Sequence, residues 1–538
     1  MNWRLLLIIL IAVTLRLYGM NWDGGFHFHP DERMIIMVAD RIHFFDKLNP
    51  HFFNYGSLPI YLLKGSAQLN DYLFSTRTST YQGMLDVGRT WSILFDLGTV
   101  FFIYKIAYLL FRKNTIALFS SFIYAISFFP IQNAHFFTVD IMFTFFSTFL
   151  IYQLLLYVGT HSLRLIFFMG ITFAALFATK FTAVIFLPAI FIVLLTHSQN
   201  KTIRHLLTFH VLSFIFYFLF MPYAFLDFSK FLADISLQLK MNKDPYIFPY
   251  TLQYVGTIPY FYYLKNIFLW GLGPITSILS FTGLFHLGLE LLKKVSLQVN
   301  RRTWNMERGT ILLIFYILST LFYFLIIGVS AVKFMRYMLP LYPFFTLLAG
   351  VGLFYLKNRV LMIFSIFFML IWSLLFMNMY SYENTRITAT KWISQNVKSF
   401  SSLAVEHWDD YVPIYGGERY VFNELHLYDL PDNTTKWLRI EKQLQKSDYL
   451  IIASNRLYVP LQRLNDCNKY KSCYPKTAAY YKKLFNGQLG FKKIKEFSVR
   501  PGIRLGSFKF EINDESADES FTVFDHPKIM IFKKYEKN

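Results

Sequence analysis

Read from its N-terminus, the chain alternates long apolar runs with short polar stretches that are often basic. Residues 5–17 are apolar, flanked by Arg4 and Arg16, and end without a small-residue cleavage pattern, which predicts a retained first span. Residues 19–85 interrupt the pattern with a polar and aromatic loop. Within it, 34–45 places apolar side chains on one face, as an interfacial helix would. Apolar runs follow at 87–112, 115–130, 139–158, 165–178, 182–196, 206–225, 266–291, 310–328, 335–356 and 360–379. Each approaches the length needed to cross hydrocarbon, so the pattern predicts about eleven spans.

After Tyr380 the pattern changes to that of a soluble segment. Helical periodicity at 385–397 and 434–445 alternates with strand-like runs at 403–406, 449–453 and 523–532, which predicts an α/β domain. The expected architecture is therefore an all-α polytopic membrane domain over 1–380, with a long loop at 19–85, and an α/β domain over 381–538. Basic residues set the orientation. Arg4, Arg112, Lys113, Arg164, Lys201, Arg204, the group Lys293, Lys294, Arg301, Arg302 and Arg308, and Lys357 with Arg359 fall on alternate loops, which the positive-inside rule assigns to the cytoplasm. The N-terminus is then cytoplasmic, while Asp31 and everything after Tyr380 are extracytoplasmic. The short pair 164–178 and 181–195 is where one span lost from the count would invert the later loops.

Composition agrees with this pattern. Apolar residues make up 55% of the chain, whereas only 16% are charged, well below the roughly one quarter of a soluble protein. The net charge of +20 lies largely in the short loops. It reads as membrane topology, and nucleic acid is excluded as the expected partner. Cys467 and Cys473 are the only cysteines and stand close together in a polar stretch of the second domain. On an oxidising side of the membrane such a pair is expected as a disulfide in preference to a zinc site, which needs further ligands. No P-loop, dinucleotide fingerprint or internal repeat is evident.

Candidate chemistry gathers on the outer side. His29-Pro30-Asp31-Glu32 puts two carboxylates where the bilayer meets water, a costly position that points to function. The competing reading is structural, with Asp31 capping a helix after Pro30. Asp140 stands at the outer mouth of the fourth span, Arg89 near the outer end of the second, and Lys180, Lys333 and Arg336 beside later outer ends. Each cation taken alone also fits simple snorkelling to the interface. Together they suit group transfer at an anomeric carbon: one carboxylate takes the acceptor hydroxyl's proton, and cations stabilise a departing phosphate. Phe52, Phe53, Tyr55 and Tyr61 would hold a sugar face or a prenyl chain, or form an interfacial belt. His27 and His29 with Asp31 form an alternative divalent-metal set.

These residues resemble membrane glycosyltransferases of the GT-C fold. The likeness is to family 39, which includes protein O-mannosyltransferases and their bacterial relatives, with lipid A aminoarabinose transferases as cousins. The matching pieces are His29-Pro30-Asp31-Glu32, Tyr55-Gly56-Ser57-Leu58-Pro59-Ile60-Tyr61, Gly88-Arg89 with Ser92, Val139-Asp140, Thr179-Lys180 and Arg336-Tyr337-Met338-Leu339-Pro340-Leu341-Tyr342-Pro343. Ala389-Thr390-Lys391-Trp392-Ile393 and Asp525-His526-Pro527-Lys528-Ile529 resemble the tails of bacterial members. The resemblance implies Asp31 as catalytic base, Glu32 as its neighbour, Asp140 as a second acid, and Arg89, Lys180 and Arg336 on the donor phosphate. His29, Tyr55 and Tyr61 belong to the implied substrate loop. It further implies a polyprenyl-phosphate sugar donor, an inverted product, no cofactor and a prokaryotic plasma membrane. The tail is not a β-trefoil, so the acceptor stays open among protein, lipid and glycan. A glycan ligase or polymerase using a diphosphate-linked donor is the alternative enzyme. A transporter or flippase is the alternative class, and would need charges or helix breaks near span midplanes.

Overall fold

The computed structural model describes residues 2–198, 201–300 and 308–535, with the side chains of 294–300, 308 and 505 left aside. Arg301 and Arg302 of the basic loop lie outside the described residues.

The chain opens with α1 (Trp3–Leu17), α2 (Pro30–Asp40), α3 (Leu58–Phe74), α4 (Met84–Phe111), α5 (Asn114–Ile126), α6 (Phe128–Ala134) and α7 (Val139–Thr160). Among the described residues seven helices are long and apolar enough to cross a membrane, or eight if the bent pair α5 and α6 is one span. The shorter apolar helices Leu163–Phe177 and Phe181–His197, together with the 15-residue α1, fill the remaining apolar segments of the sequence. The protein is an integral membrane protein.

The breaks within these segments have local causes. At Ser127 the α5–α6 pair bends by 57°. The segment expected at 182–196 starts as a 3-10 turn, Phe181–Phe186, because Pro188 fits only the first turn of the helix Leu187–His197. The run expected at 266–291 divides at Gly273, whose φ of +80° admits glycine readily, and restarts at Pro274.

Three expectations change. The interfacial helix of the first loop spans Pro30–Asp40 rather than 34–45, and a second helix, α3, occupies what reads in sequence as irregular loop. Arg16, read as a flank of the first span, is fully buried and paired with Asp96 of α4, whose other oxygen accepts from Tyr124. Such a pair inside apolar surroundings persists only because both charges are hydrogen-bonded.

The tail forms β1 (Ser402–Glu406), β2 (Val421–Leu425), β3 (Tyr449–Ile452), β4 (Phe491–Phe497), β5 (Gly502–Leu505), β6 (Phe508–Glu511) and β7 (Ile529–Lys534). Five of them make a mixed sheet in the order β2-β1-β3-β7-β4, parallel across β2, β1 and β3 and antiparallel at β7 and β4. The helices Thr385–Asn396 and Thr434–Lys446 accompany it. Cys467 and Cys473 form a disulfide. The strand expected at 523–532 starts only at Ile529, because 519–527 has another task. Phe521 is fully buried against Phe128, Phe129 and Phe376 of the membrane helices, and Gln132 Nε2 donates to the Phe521 carbonyl at 2.9 Å. One buried phenylalanine contributes about 1.5–3 kcal/mol to such a junction. The tail is thereby stitched to one end of the helical part.

Candidate active site

Asp31 and Glu32 are consecutive in the first turn of α2. His29 caps that helix by accepting from the Asp31 backbone N–H at 3.2 Å, and Pro30 occupies the first turn. The N-cap is therefore His29, and the structural reading in which Asp31 caps is corrected: its side chain is not used as the cap. Asp140 likewise sits in the first turn of α7, after Thr138. Both carboxylates thus lie at the N-terminal end of a helix.

Neighbours on a helix point about 100° apart, and this divides the pair. Glu32 faces inward to Arg89 of α4. Arg89 Nε and Nη2 donate to Glu32 at 3.0 and 2.8 Å; Nη1 and Nη2 donate to Asp23 at 3.0 and 2.8 Å, and Nη1 also reaches the Met20 carbonyl. The Phe137 N–H donates to Glu32 as well. All three side chains are 0% exposed. A guanidinium has five N–H donors, and here every one is used. The expectation that Arg89 contacts a donor phosphate is corrected: it has no open donor, and the knot joins the first loop, α2 and α4. Glu32 is held in that knot, away from the cavity.

Asp31 faces the other way, into a cavity of about 540 Å³. Arg336 Nη2 is 2.9 Å from Asp31 and its Nε is 3.5 Å from Asp140, while Lys180 Nζ donates to Asp140 at 2.9 Å. Each cation stands where a helix is interrupted. Lys180 has extended backbone between the helix Leu163–Phe177 and the following 3-10 turn, and Arg336 lies in the 3-10 turn Met335–Leu341 that contains Pro340. Tyr337 lies beneath both, 4.3 Å from Lys180 and 5.9 Å from Arg336. The Tyr55 loop is fastened alongside: the Gly56 and Leu58 N–H groups donate to the carbonyls of Thr179 and Ala178. A Cβ on Gly56 would come within 1.8 Å of the Ala178 oxygen, so only glycine permits this approach.

Of the residues expected from sequence, Asp31, Asp140, Lys180, Arg336, Phe52 and Tyr55 line this one cavity. Burial and the nearby Asp31 charge push the Tyr55 phenol well above its usual range. Others are elsewhere. Tyr61 donates to the Leu48 carbonyl, and Lys333 is buried with its amine on the Ala331 carbonyl. His29 is buried against Phe136 and Phe524, and burial first, then Arg336 and Arg89, hold it neutral far below its ordinary pKa. His27 stacks on Tyr81. The metal set His27, His29 and Asp31 is therefore not assembled; the His29 nitrogen nearest Asp31 is occupied as a cap, and Arg336 fills the space between the two aspartates.

The tail supplies part of the remaining wall with Trp408, Asp409, Asp410, Arg456, Glu519 and Phe524. Arg456 Nε donates to Glu519 at 2.8 Å, and among the described residues its two terminal nitrogens have no protein hydrogen bond. Arg33 of α2 reaches Asp410 at 3.1 Å, closing the rim. Residues 407–410 follow β1 and 453–457 follow β3, so this wall is built at the carboxyl ends of parallel strands, where open α/β sheets place ligands. A carboxylate pair just beyond the 403–406 strand was the available signal, but sequence does not say which way a tail folds back.

Residues 72–225 match the family model described as dolichyl-phosphate-mannose-protein mannosyltransferase. The archaeal oligosaccharyltransferase AglB from Archaeoglobus fulgidus, solved with an inhibitory peptide and a dolichol-phosphate, is similar at TM-score 0.52 and 12% identity, covering 96% of this chain and 74% of that one. ArnT from Cupriavidus metallidurans, solved with undecaprenyl phosphate, aligns at TM-score 0.41 and 12% identity over 85% of this chain and 94% of that one, too loosely to carry argument. No curated protein matches the chain by sequence. The AglB likeness speaks to fold, and the family segment contains Arg89, Asp140 and Lys180. The class expected from the motifs, a membrane glycosyltransferase, is the class of the family model that matches 72–225, and the AglB likeness agrees with the expected fold.

Proposed function

We propose that this protein transfers one glycosyl group from a polyprenyl-phosphate sugar to an acceptor hydroxyl, with inversion, in the Asp31 cavity on the extracytoplasmic face. The N-terminus is cytoplasmic in this reading; 1–380 is the transferase part, and 381–538 is the extracytoplasmic domain that completes the cavity. The observation that carries the reading is the open Asp31–Arg336–Asp140–Lys180 cluster in a cavity whose volume suits a sugar with its phosphate.

Donor phosphate entering between Arg336 and Lys180 competes with Asp31 for the guanidinium and frees one Asp31 oxygen. That oxygen takes the acceptor proton as the acceptor oxygen bonds to the anomeric carbon. The bond from that carbon to the phosphate oxygen breaks on the opposite side, and the phosphate leaves as an anion held by Arg336 and Lys180. A single displacement inverts the centre, and no second carboxyl is needed as acid because phosphate leaves unprotonated. Asp140 holds the two cations at their spacing. Tyr337 and Tyr55 offer faces to the sugar. The acceptor is a hydroxyl on protein, lipid or glycan.

The test offers membranes carrying wild type or Asp31→Asn a panel of polyprenyl-phosphate sugars and follows release of polyprenyl phosphate. Wild type is expected to consume one donor, and Asp31→Asn to bind it within threefold but turn it over at least a thousandfold more slowly, within the usual range for a lost general base. Turnover by Asp31→Asn at the wild-type rate would remove Asp31 as base. Activity only on diphosphate-linked oligosaccharides would move the assignment to a glycan ligase or polymerase.

A further inference from the structure

The mechanism above leaves unused a cluster at the β2 edge of the tail sheet. β1 and β2 run parallel in the register Glu406↔Leu425, and the His407 N–H continues the ladder to the Leu425 carbonyl. This register sets His407 and His426 side by side just beyond the carboxyl ends of the two strands, with Glu424 beside them. The two imidazoles stack at 4.2 Å, and His407 Nδ1 is 3.0 Å from Glu424 Oε2. One ligand atom from each of the three residues lies within 4.8 Å of the others, and all three side chains are between a third and two fifths exposed.

From this arrangement we infer that His407, Glu424 and His426 form a binding site for a divalent transition metal of the zinc class. Two imidazoles and a carboxylate are a three-ligand set that zinc accepts, with water in the fourth position. The outer partners are present. His426 Nδ1 is 3.8 Å from Asp429, so a metal on Nε2 leaves the other ring nitrogen facing a carboxylate. Tyr411 reaches the second Glu424 oxygen at 3.4 Å. The carboxyl-end position on adjacent parallel strands is also where such sheets bind ligands. His407 is followed directly by Trp408, Asp409 and Asp410, which line the cavity. A bound metal clamps the ends of β1 and β2 together and fixes that wall. The inference stands on the cluster alone, whatever reaction the cavity performs.

The experiment equilibrates full-length, tag-free protein in detergent with Zn²⁺ alone and measures bound metal by mass spectrometry, then repeats with Co²⁺ and records its visible ligand-field bands. Wild type is expected to bind one ion at micromolar Zn²⁺ and to give the intense bands of low-coordinate cobalt. His407→Ala/His426→Ala is expected to weaken binding at least a hundredfold and abolish the bands, with Glu424→Gln intermediate. Asp31→Asn/Asp140→Asn should bind as wild type does. Unchanged thermal unfolding of the His variant in metal-free buffer separates loss of the site from loss of the fold; if that variant unfolds early, Glu424→Gln decides. Equal binding by wild type and by Glu424→Gln and the His variant overturns the inference, as does absence of binding at micromolar Zn²⁺. Loss of the ion in the cavity variant overturns it too.

Discussion

The two acidic neighbours of α2 lead into two clusters of similar composition and different character. Glu32 enters the Arg89 knot, where three charged side chains are fully buried and the guanidinium has no donor to spare. Asp31 enters the Arg336 cluster, where side chains keep 4–17% exposure and face a cavity. The difference teaches that an arginine beside two carboxylates is not in itself a phosphate site. What decides is whether N–H donors remain and whether a ligand has access. Saturated and dry, the knot holds the loop in place; unsaturated and partly wet, the cluster can exchange one anion for another.

Substitution should break the two in different ways. Arg89→Ala leaves Asp23 and Glu32 buried without a counter-charge, and should lower stability by about 3–5 kcal/mol; thermal unfolding in detergent measures it. A well-folded Arg89→Ala that has lost donor binding would erase the distinction drawn here. Arg336→Ala removes a cation from the open cluster. It should fold nearly normally and weaken donor binding about a hundredfold, or about 2.7 kcal/mol, as read by displacement of a labelled donor.

A third buried carboxylate sharpens the point. Glu406 lies in the tail with no cation on it: one oxygen accepts from the Tyr481 hydroxyl, and the other is buried with no partner among the described residues. Burial pushes it up to about 8. A raised carboxyl favours the folded state while protonated, so its stability is complete below the unfolded value near 4.5 and drains as pH rises through about 8. Glu406→Gln should therefore flatten the loss of stability between pH 5 and 8 and be the more stable form at pH 8, by on the order of 2 kcal/mol. Parallel pH profiles for the two proteins would mean that Glu406 is charged as folded. The smallest effect is expected at the disulfide. Cys467→Ser opens a short loop and should cost about 2 kcal/mol by chain entropy, or less, without changing donor binding.

Much of this was legible in the sequence. Apolar runs mark the spans because the bilayer fixes their length, and 3.6- and 2-residue periodicities mark two helices and three of the seven described strands of the tail. α3 escaped because its apolar face is cut by Tyr61, Lys64 and Gln68. Asp31, Asp140, Lys180 and Arg336 could be nominated together because charged groups beside hydrocarbon are costly and need a reason.

The sequence by itself determined a membrane protein with a tail of different pattern and carboxylates at the starts of its helices, since hydrophobic length and helix-start chemistry are local properties. Only the tertiary structure decided that Arg89 is spent while Arg336 is open, because the hydrogen-bond saturation of a guanidinium depends on which distant carboxylates reach it. It alone decided that Trp408, Asp410 and Arg456 close the cavity and that His407 meets His426, because strand register and the docking of Phe521 bring together residues hundreds of positions apart or on separate strands.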